Sequence, residues 1–337
     1  MANDETRVRN AKEVAVREYL MAAGARGRPP LAAYALSTHP ADNVVGVGIG
    51  RKLINGGATG PYCLRLFVEH KLPREVLRPE ELLPGEIGGI PTDVIETGRF
   101  VASRAKVPGG RRRRRPIQPG CSIGFQYTGR RASWRMAGTL GALVEKNGTL
   151  CILSNNHVLA QENLLPPGSS IFQPALLDGG IPHHDAVAQL AEFVELSATE
   201  ANEMDCALAQ ILDPSAVRLT FLPKVGRLRS GEPTTPSEDA AVEKVGRTTG
   251  YTTGVIFETQ ADVRVQYVEL GNLLFRDQVL IVGEKRRFSD EGDSGSVIVE
   301  RATKRPTALL FAGSAQYAVA TALERVLAKL GTTVRIR

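Results

Sequence analysis

The sequence predicts a mainly β protein, with a helix at each end and a small α/β unit ahead of a longer strand-rich region. Three observations carry this. The 337 residues include 34 glycines and 20 prolines, about 16% of the chain against an average of ~12%, so turns are frequent. Apolar residues make up 42% and charged residues 23%, which allows a sizeable core and excludes a disordered chain. From residue 120 onward, short apolar runs alternate with turn residues, the pattern of strands.

Taken in order, Glu5–Ala23 reads as a helix: Val8, Ala11, Ala15, Tyr19 and Ala22 fall on one face, and Gly24 with Pro29 and Pro30 stops it. Val44–Ile54 and Tyr62–His70 read as strands joined by a turn-rich hairpin loop at Asn55–Gly60. A short helix follows Pro73, and Ile90–Val101 is a further strand. The VGVGIG stretch is not a nucleotide loop. Its glycines, Gly46, Gly48 and Gly50, do not fit GxGxxG, and no helix follows. Residues 105–118, with Pro, Gly and the run Arg111–Arg115, read as a solvated linker of mutually repelling charges. Beyond it, Thr139–Val144 and Leu150–Ser154 flank a hairpin turn at Lys146-Asn147-Gly148. Strands follow at Met204–Leu212, Ala241–Val245, Val255–Phe257, Ala261–Leu270, Gln278–Val282, Ser296–Glu300 and Thr307–Ala312, with a loop-rich stretch between Pro214 and Ala240. Ala318–Leu330 reads as an amphipathic closing helix with Gly331 as its stop.

Composition also narrows the function. Five of the six excess positive charges lie in Arg111–Arg115, a local effect that argues against a nucleic-acid surface. The longest uncharged run, Pro306–Leu323, holds Gly313, Ser314, Gln316 and Thr321 and is too polar for a membrane span. The first residues lack an apolar secretory segment. Cys63, Cys121, Cys151 and Cys206 form no CxxC pair. The expectation is a cytoplasmic protein with reduced thiols, no metal, no cofactor and no membrane or nucleic-acid partner. The adjacent His183 and His184 read as a surface loop, because neighbouring residues on a loop chelate poorly and no partner ligands accompany them.

Three strings can carry chemistry together. They are SNNHVL around His157, MDCALA around Asp205 and EGDSGS around Ser294. Acyl transfer by a serine needs a base within hydrogen-bond reach of its hydroxyl. The base needs a buried carboxylate to fix its tautomer. The developing oxyanion needs aimed backbone amides, which Gly292 and Ser294 supply. Asp178 and Asp185 are rival carboxylates, but neither opens an apolar strand as Asp205 does.

These strings, in the order His, Asp, Ser, resemble the trypsin-like peptidases of chymotrypsin fold. KVGRTTGYTTG (Lys244–Gly254) is similar to the opening of the second barrel in bacterial members. NVVGVGIGRK, LSNNHVLA and QPALLDGG are similar to the plant Narrow Leaf-type proteases and their bacterial relatives. The resemblance implies a two-barrel chymotrypsin-like peptidase domain at 119–337, with barrels at about 119–212 and 241–316. Ahead of it come a non-catalytic α/β domain with the N-terminal helix at 1–104 and the basic linker at 105–118. It implies a serine endopeptidase acting on polypeptides through an acyl-enzyme, in a homo-oligomer, latent until a regulatory protein partner triggers it. The alternative is a non-catalytic peptide-binding module in an oligomeric signalling or defence assembly. Substrate would add as a strand along Phe311-Ala312-Gly313. Phe288, Asp290 and Glu291 fall at the specificity pocket, with Phe288 at its base by ungapped count. No activation sequence supplies a new amino terminus to pair with Asp293.

Overall fold

The computed structural model describes residues 2–21, 39–54, 57, 59–102, 113–127, 133–219, 221–229 and 232–334. It is mainly β. The strands are β1 Val44–Arg51, β2 Tyr62–Val68, β3 Glu86–Ile87, β4 Ile90–Glu96, β5 Phe100–Val101, β6 Ser122–Phe125 and β7 Gly138–Thr139. Then come β8 Ala142–Lys146, β9 Thr149–Ser154, β10 Ser170–Phe172, β11 Ala186–Phe193, β12 Ala207–Ile211, β13 Phe221–Leu222 and β14 Gly226–Arg227. The last are β15 Ala241–Gly246, β16 Gly250–Gln266, β17 Asn272–Gly283, β18 Val297–Glu300, β19 Pro306–Gly313, β20 Tyr317–Ala322 and β21 Thr333–Val334. Among the described residues four α-helices accompany them: α1 Ala2–Ala15, α2 Pro40–Asn43, α3 Asn156–Leu159 and α4 Leu323–Leu330.

The first unit is a sheet in the order β21-β8-β9-β12-β11-β10-β6-β7, curled around Ile123, Phe125, Leu143, Ile152, Val158 and Leu190. The second is a six-stranded antiparallel barrel, β15-β16-β17-β20-β19-β18, closed by the β15–β18 pairing. It encloses Val242, Ile256, Ile281, Phe288, Ile298 and Leu310. The two face each other across a seam of Val144, Leu153, Leu208, Val245, Val297 and Leu309. A half-barrel sheet thus faces a closed six-stranded barrel, with a helix before and after them.

The N-terminal strands continue the second barrel's sheet. β1 pairs antiparallel with β16 and with β2, and β2 pairs parallel with β4. Helix α1 runs on as a π-helical turn, Val16–Met21, and buries Ala11, Ala15, Val16, Tyr19 and Leu20 against this sheet. The rest of the predicted helix, Ala22 and Ala23, lies outside the described residues. The glycines of β1 make room for a buried ion pair. Arg65 Nη1 sits 3.2 Å from Glu258 Oε2, both almost without exposure. A Cβ on Gly50 would fall 2.1 Å from Arg65 Cζ, and one on Gly48 would fall 2.6 Å from Glu258 Oε2.

Three elements differ from the sequence reading. Ile90–Val101 is two strands, β4 and β5, and β5 pairs with β16 and β19 instead of continuing β4. Val255–Phe257 and Ala261–Gln266 are parts of one 17-residue strand, β16, and Tyr267–Leu270 lie in the turn after it. The polar Glu258-Thr259-Gln260 that separated them is a bulge with register shifts against β17. The Glu258 carboxylate accepts the bulge amides of Thr259 and Gln260, each at 3.1 Å, so backbone groups that leave the ladder stay satisfied. Ala318–Leu330 is a strand followed by a helix. Tyr317–Ala322 is β20, buried throughout and paired on both sides, and the helix is only α4. Its Leu323, Val326, Leu327 and Leu330 are buried. Each such side chain contributes roughly 1.5–3 kcal/mol. Gly331, left-handed at φ 59°, terminates it.

The basic run is only partly linker-like. Arg111 and Arg112 lie outside the described residues. Arg113 Nε, however, pairs with Asp185 at 2.6 Å, and the Arg115 guanidinium donates to the Gln173 carbonyl at 3.1 Å. The buried Asp185 carboxylate overrides charge repulsion there. No helix among the described residues is long and apolar enough to cross a membrane.

Candidate active site

Strand β9 delivers Ser154 and Asn155 to the seam, and the single-turn helix α3 then carries His157, fully buried. Asp205 sits just before β12, which pairs with β9 through Ala207 and Ser154. This register sets the carboxylate under the imidazole. His157 Nδ1 lies 2.5 Å from Asp205 Oδ2, and the His157 amide donates to Oδ1 at 3.3 Å. Asn155 Nδ2 donates to the Asp205 carbonyl at 2.7 Å and fixes the backbone there. A hydroxyl from the other barrel, that of Tyr267, donates to Asp205 Oδ2 at 2.7 Å. The sequence reading missed Tyr267. It follows the last residue of β16, and nothing in its neighbourhood of alternating polar and apolar residues marks it.

Ser294 stands on a tight loop before β18. Gly292 and Gly295 hold φ of 90° and 92°, open to glycine and strained for other residues. A Cβ on Gly295 would fall 2.1 Å from Ser154 Oγ and 2.3 Å from the Thr139 carbonyl. The nucleophile loop therefore packs directly on the first sheet. Thr139 is the hinge of this contact. Its amide donates to the Ser294 carbonyl and its hydroxyl to the Gly292 carbonyl, both at 2.9 Å, while its carbonyl accepts from Ser154 Oγ at 2.8 Å. The Ser294 hydroxyl donates to the Phe311 carbonyl at 3.2 Å. His157 Nε2 is buried and has no hydrogen-bond partner among the described residues. The structure thus joins His157 to Asp205 and brings Ser294 to the same seam, with the serine–histidine hydrogen bond unmade.

Asp293 supports the loop from below. Lys244 Nζ is 2.9 Å from Asp293 Oδ2, and neither side chain is exposed. Asp293 also accepts the amides of Thr248, Thr249 and Asp290 and the Thr249 hydroxyl. Burial pushes the Asp293 carboxyl up. Lys244 and these hydrogen bonds outweigh it, so the group titrates below its ordinary range. Lys244 is moved down by burial, with Asp293 offsetting part of the shift. An internal lysine thus fills the position that the sequence left without a partner for Asp293.

The hydroxyl borders a cavity of about 230 Å³ lined by Arg99, Val101, Arg287, Ser289, Asp290, Glu291, Ala312 and Gly313. Asp290, Glu291, Ala312 and Gly313, all named from the sequence, line this cavity. Phe288 does not. Its ring is 1% exposed within the second barrel's core, beside Val242 and Ile281. An apolar ring gains more there than at the base of a wet pocket. Phe311 is likewise buried and reaches the site through its carbonyl alone. The rival carboxylates are engaged elsewhere. Asp178 holds Arg247 and accepts Ser122 Oγ, and Asp185 holds Arg113. His183 and His184 are exposed on a loop.

Residues 238–325 match the family described as the Nal1 C-terminal domain. Over 311 residues the chain is 26% identical to Protein NARROW LEAF 1 of Oryza sativa subsp. japonica. That alignment covers 80% of this chain and 51% of the rice protein, so the chain spans about half the length of the curated relative it matches. Among solved structures it is similar to Thermobifida fusca Protease A, at 14% identity and TM-score 0.45 over 66% of this chain and 99% of that one. A glutamic acid specific serine protease that utilizes a histidine triad in substrate binding is 18% identical, with TM-score 0.45, over 65% and 100%. Cellulomonas bogoriensis chymotrypsin is 17% identical, with TM-score 0.44, over 66% and 100%.

Proposed function

We propose that the chain is a serine endopeptidase acting through His157, Asp205 and Ser294. The observation that carries this reading is the buried His157–Asp205 pair, 2.5 Å apart, facing the same seam as a serine on a glycine-bracketed loop. The Ser294 hydroxyl turns from the Phe311 carbonyl to His157 Nε2 when substrate binds. His157 takes its proton as Oγ attacks the peptide carbonyl, and the carbonyl oxygen moves to the amides of Gly292 and Ser294. The C–N bond breaks as His157 returns the proton to the leaving amine. A water, deprotonated in turn by His157, hydrolyses the ester and restores Ser294. Asp205 orients the imidazole and stabilises the imidazolium as it forms. Each oxyanion donor contributes ~2.7–4 kcal/mol to the transition state. Ser294→Ala should lower peptide turnover by several orders of magnitude with folding intact. Undiminished cleavage by the variant sinks the reading.

A second feature supports latency. Substrate strands pair with exposed sheet edges, and the edge expected to receive them is already taken. Val101 of β5 pairs antiparallel with Gly313, while Phe100 and Val101 also pair with Val265 and Gln266 of β16. Peptide binding along Ala312-Gly313 then requires β5 to leave. Val101→Pro weakens that pairing and should raise turnover of a long peptide severalfold. Equal turnover in both proteins refutes the latent state. The partner that displaces β5, the homo-oligomer and the cytoplasmic location are parts of the same proposal.

A further inference from the structure

We infer that Tyr267 is a positioning residue for the proposed catalytic pair, setting both the orientation of Asp205 and the basicity of His157. This rests on the peptidase reading but adds a group that the three motifs do not contain.

The geometry is specific. Asp205 Oδ2 accepts two hydrogen bonds, from His157 Nδ1 and from the Tyr267 hydroxyl at 2.7 Å, while Oδ1 takes the His157 amide. Asp205 and Tyr267 are 1% and 3% exposed, so the phenol supplies what water cannot. A carboxylate out of water is held in one orientation by such charge-assisted bonds. The Tyr267 ring meets the His157 ring edge to face at 5.8 Å and 83°, and it stacks on Phe275 at 5.8 Å and 19°. The imidazole is confined from the side as well as from below.

Tyr267 itself is held firmly. Its amide donates to the Gly271 carbonyl at 2.7 Å, closing the turn between β16 and β17. The amides of Val268, Glu269 and Leu270 donate to the buried Glu162 carboxylate, which belongs to the loop after α3. The turn that carries the phenol is thus clamped by the loop that follows the histidine, and the two barrels are locked at this point. Tyr267 supplies this hydroxyl from the turn after β16, in the second barrel, to a carboxylate on the first sheet.

The sign of the effect follows. A hydrogen bond to the charged form draws carboxylate charge away from the imidazolium. Deleting it turns more charge toward His157, favours imidazolium and makes the base harder to free of its proton. The experiment measures the rate of Ser294 modification by a fluorophosphonate, from pH 5 to 9, on the full chain. It compares wild type, Tyr267→Phe, and the chain with 3,5-difluorotyrosine at 267. The first variant keeps the ring and its stacking. The second keeps the fold and donates more strongly.

Tyr267→Phe should lower the plateau about tenfold, a fraction of the 10²–10⁴ from positioned acid–base catalysis. Its acid limb should move up by about half a pH unit, and the difluoro chain should move it down. Profiles superimposable on a reactive wild type overturn the inference and leave the peptidase reading standing. A wild type that never reacts overturns the peptidase reading. The inference is then read from the His157 imidazole titration by NMR, which must move in opposite directions in the two variants or the inference fails.

Discussion

Replacing Lys244 by Met keeps a long apolar stem and removes one buried charge. The wild-type pair is 2.9 Å apart with no exposure on either side chain. Stranding one member of a buried pair costs ~3–5 kcal/mol. Asp293 keeps four other donors, from Thr248, Thr249 and Asp290, which places the expected loss near the lower end, about 3 kcal/mol. The pH dependence gives a second, signed test. In the wild type Asp293 titrates below its ordinary value, so its stabilisation is present at neutral pH and lost as pH falls through the folded-state value. Without Lys244, burial acts on Asp293 with far less opposition and its pKa rises. The variant's deficit is then largest at neutral pH and shrinks on acidification, as the stranded carboxyl becomes neutral. Urea midpoints of both proteins at about pH 3.5 and pH 7 measure this, and fluorophosphonate labelling of Ser294 should slow in parallel. A deficit under about 1 kcal/mol, typical of an exposed pair, or one equal at the two pH values, refutes the argument.

Other expectations are more local. Gly295→Ala places a Cβ about 2 Å from Ser154 Oγ and the Thr139 carbonyl at φ 92°, so the nucleophile loop must lift from the first sheet. Thermal melting should show a marked loss, and an unchanged midpoint contradicts the packing described. Asp205→Asn should lower kcat by about 10⁴-fold with little change in KM, read from steady-state peptide cleavage. Glu258, raised by burial to about 7 despite Arg65, is protonated more readily in the folded chain. Its contribution is full below about pH 4.5 and is lost as pH rises through about 7, of order 3 kcal/mol in all. Glu258→Gln should remove that slope from a stability–pH curve.

The mainly β class was legible in the sequence, and so was the contact of His157 with Asp205. His157, Asp205 and Ser294 stand in strings whose residue types are needed together, and GDSG carries glycines that a packed loop demands. Strand positions such as Ala142–Lys146 and Thr149–Ser154 follow from local alternation and the Asn147-Gly148 turn, whose residues hold φ of 50° and 76°. Partner choice was not legible. Nothing local says that Val44–Arg51 joins β16, or that Phe100–Val101 closes on Gly313, because both depend on edges supplied by residues more than a hundred positions away. The Tyr317–Ala322 strand was hidden for the same reason: its alternation is swamped by small apolar residues, and pairing on both sides decides it. Counting from Ser294 placed Phe288 at a pocket base, whereas the strand geometry turns it into the core. Lys244 on β15 and Tyr267 in the turn after β16 look merely structural until the other side of each pair is seen.

The most direct measurement is the intact mass and peptide map of the full chain after treatment with a small fluorophosphonate, alongside His157→Ala. The account predicts one adduct, on Ser294, formed in the wild type and nearly absent in the variant. No adduct on folded wild-type chain, or labelling of Ser294 at the same rate without the imidazole, contradicts it.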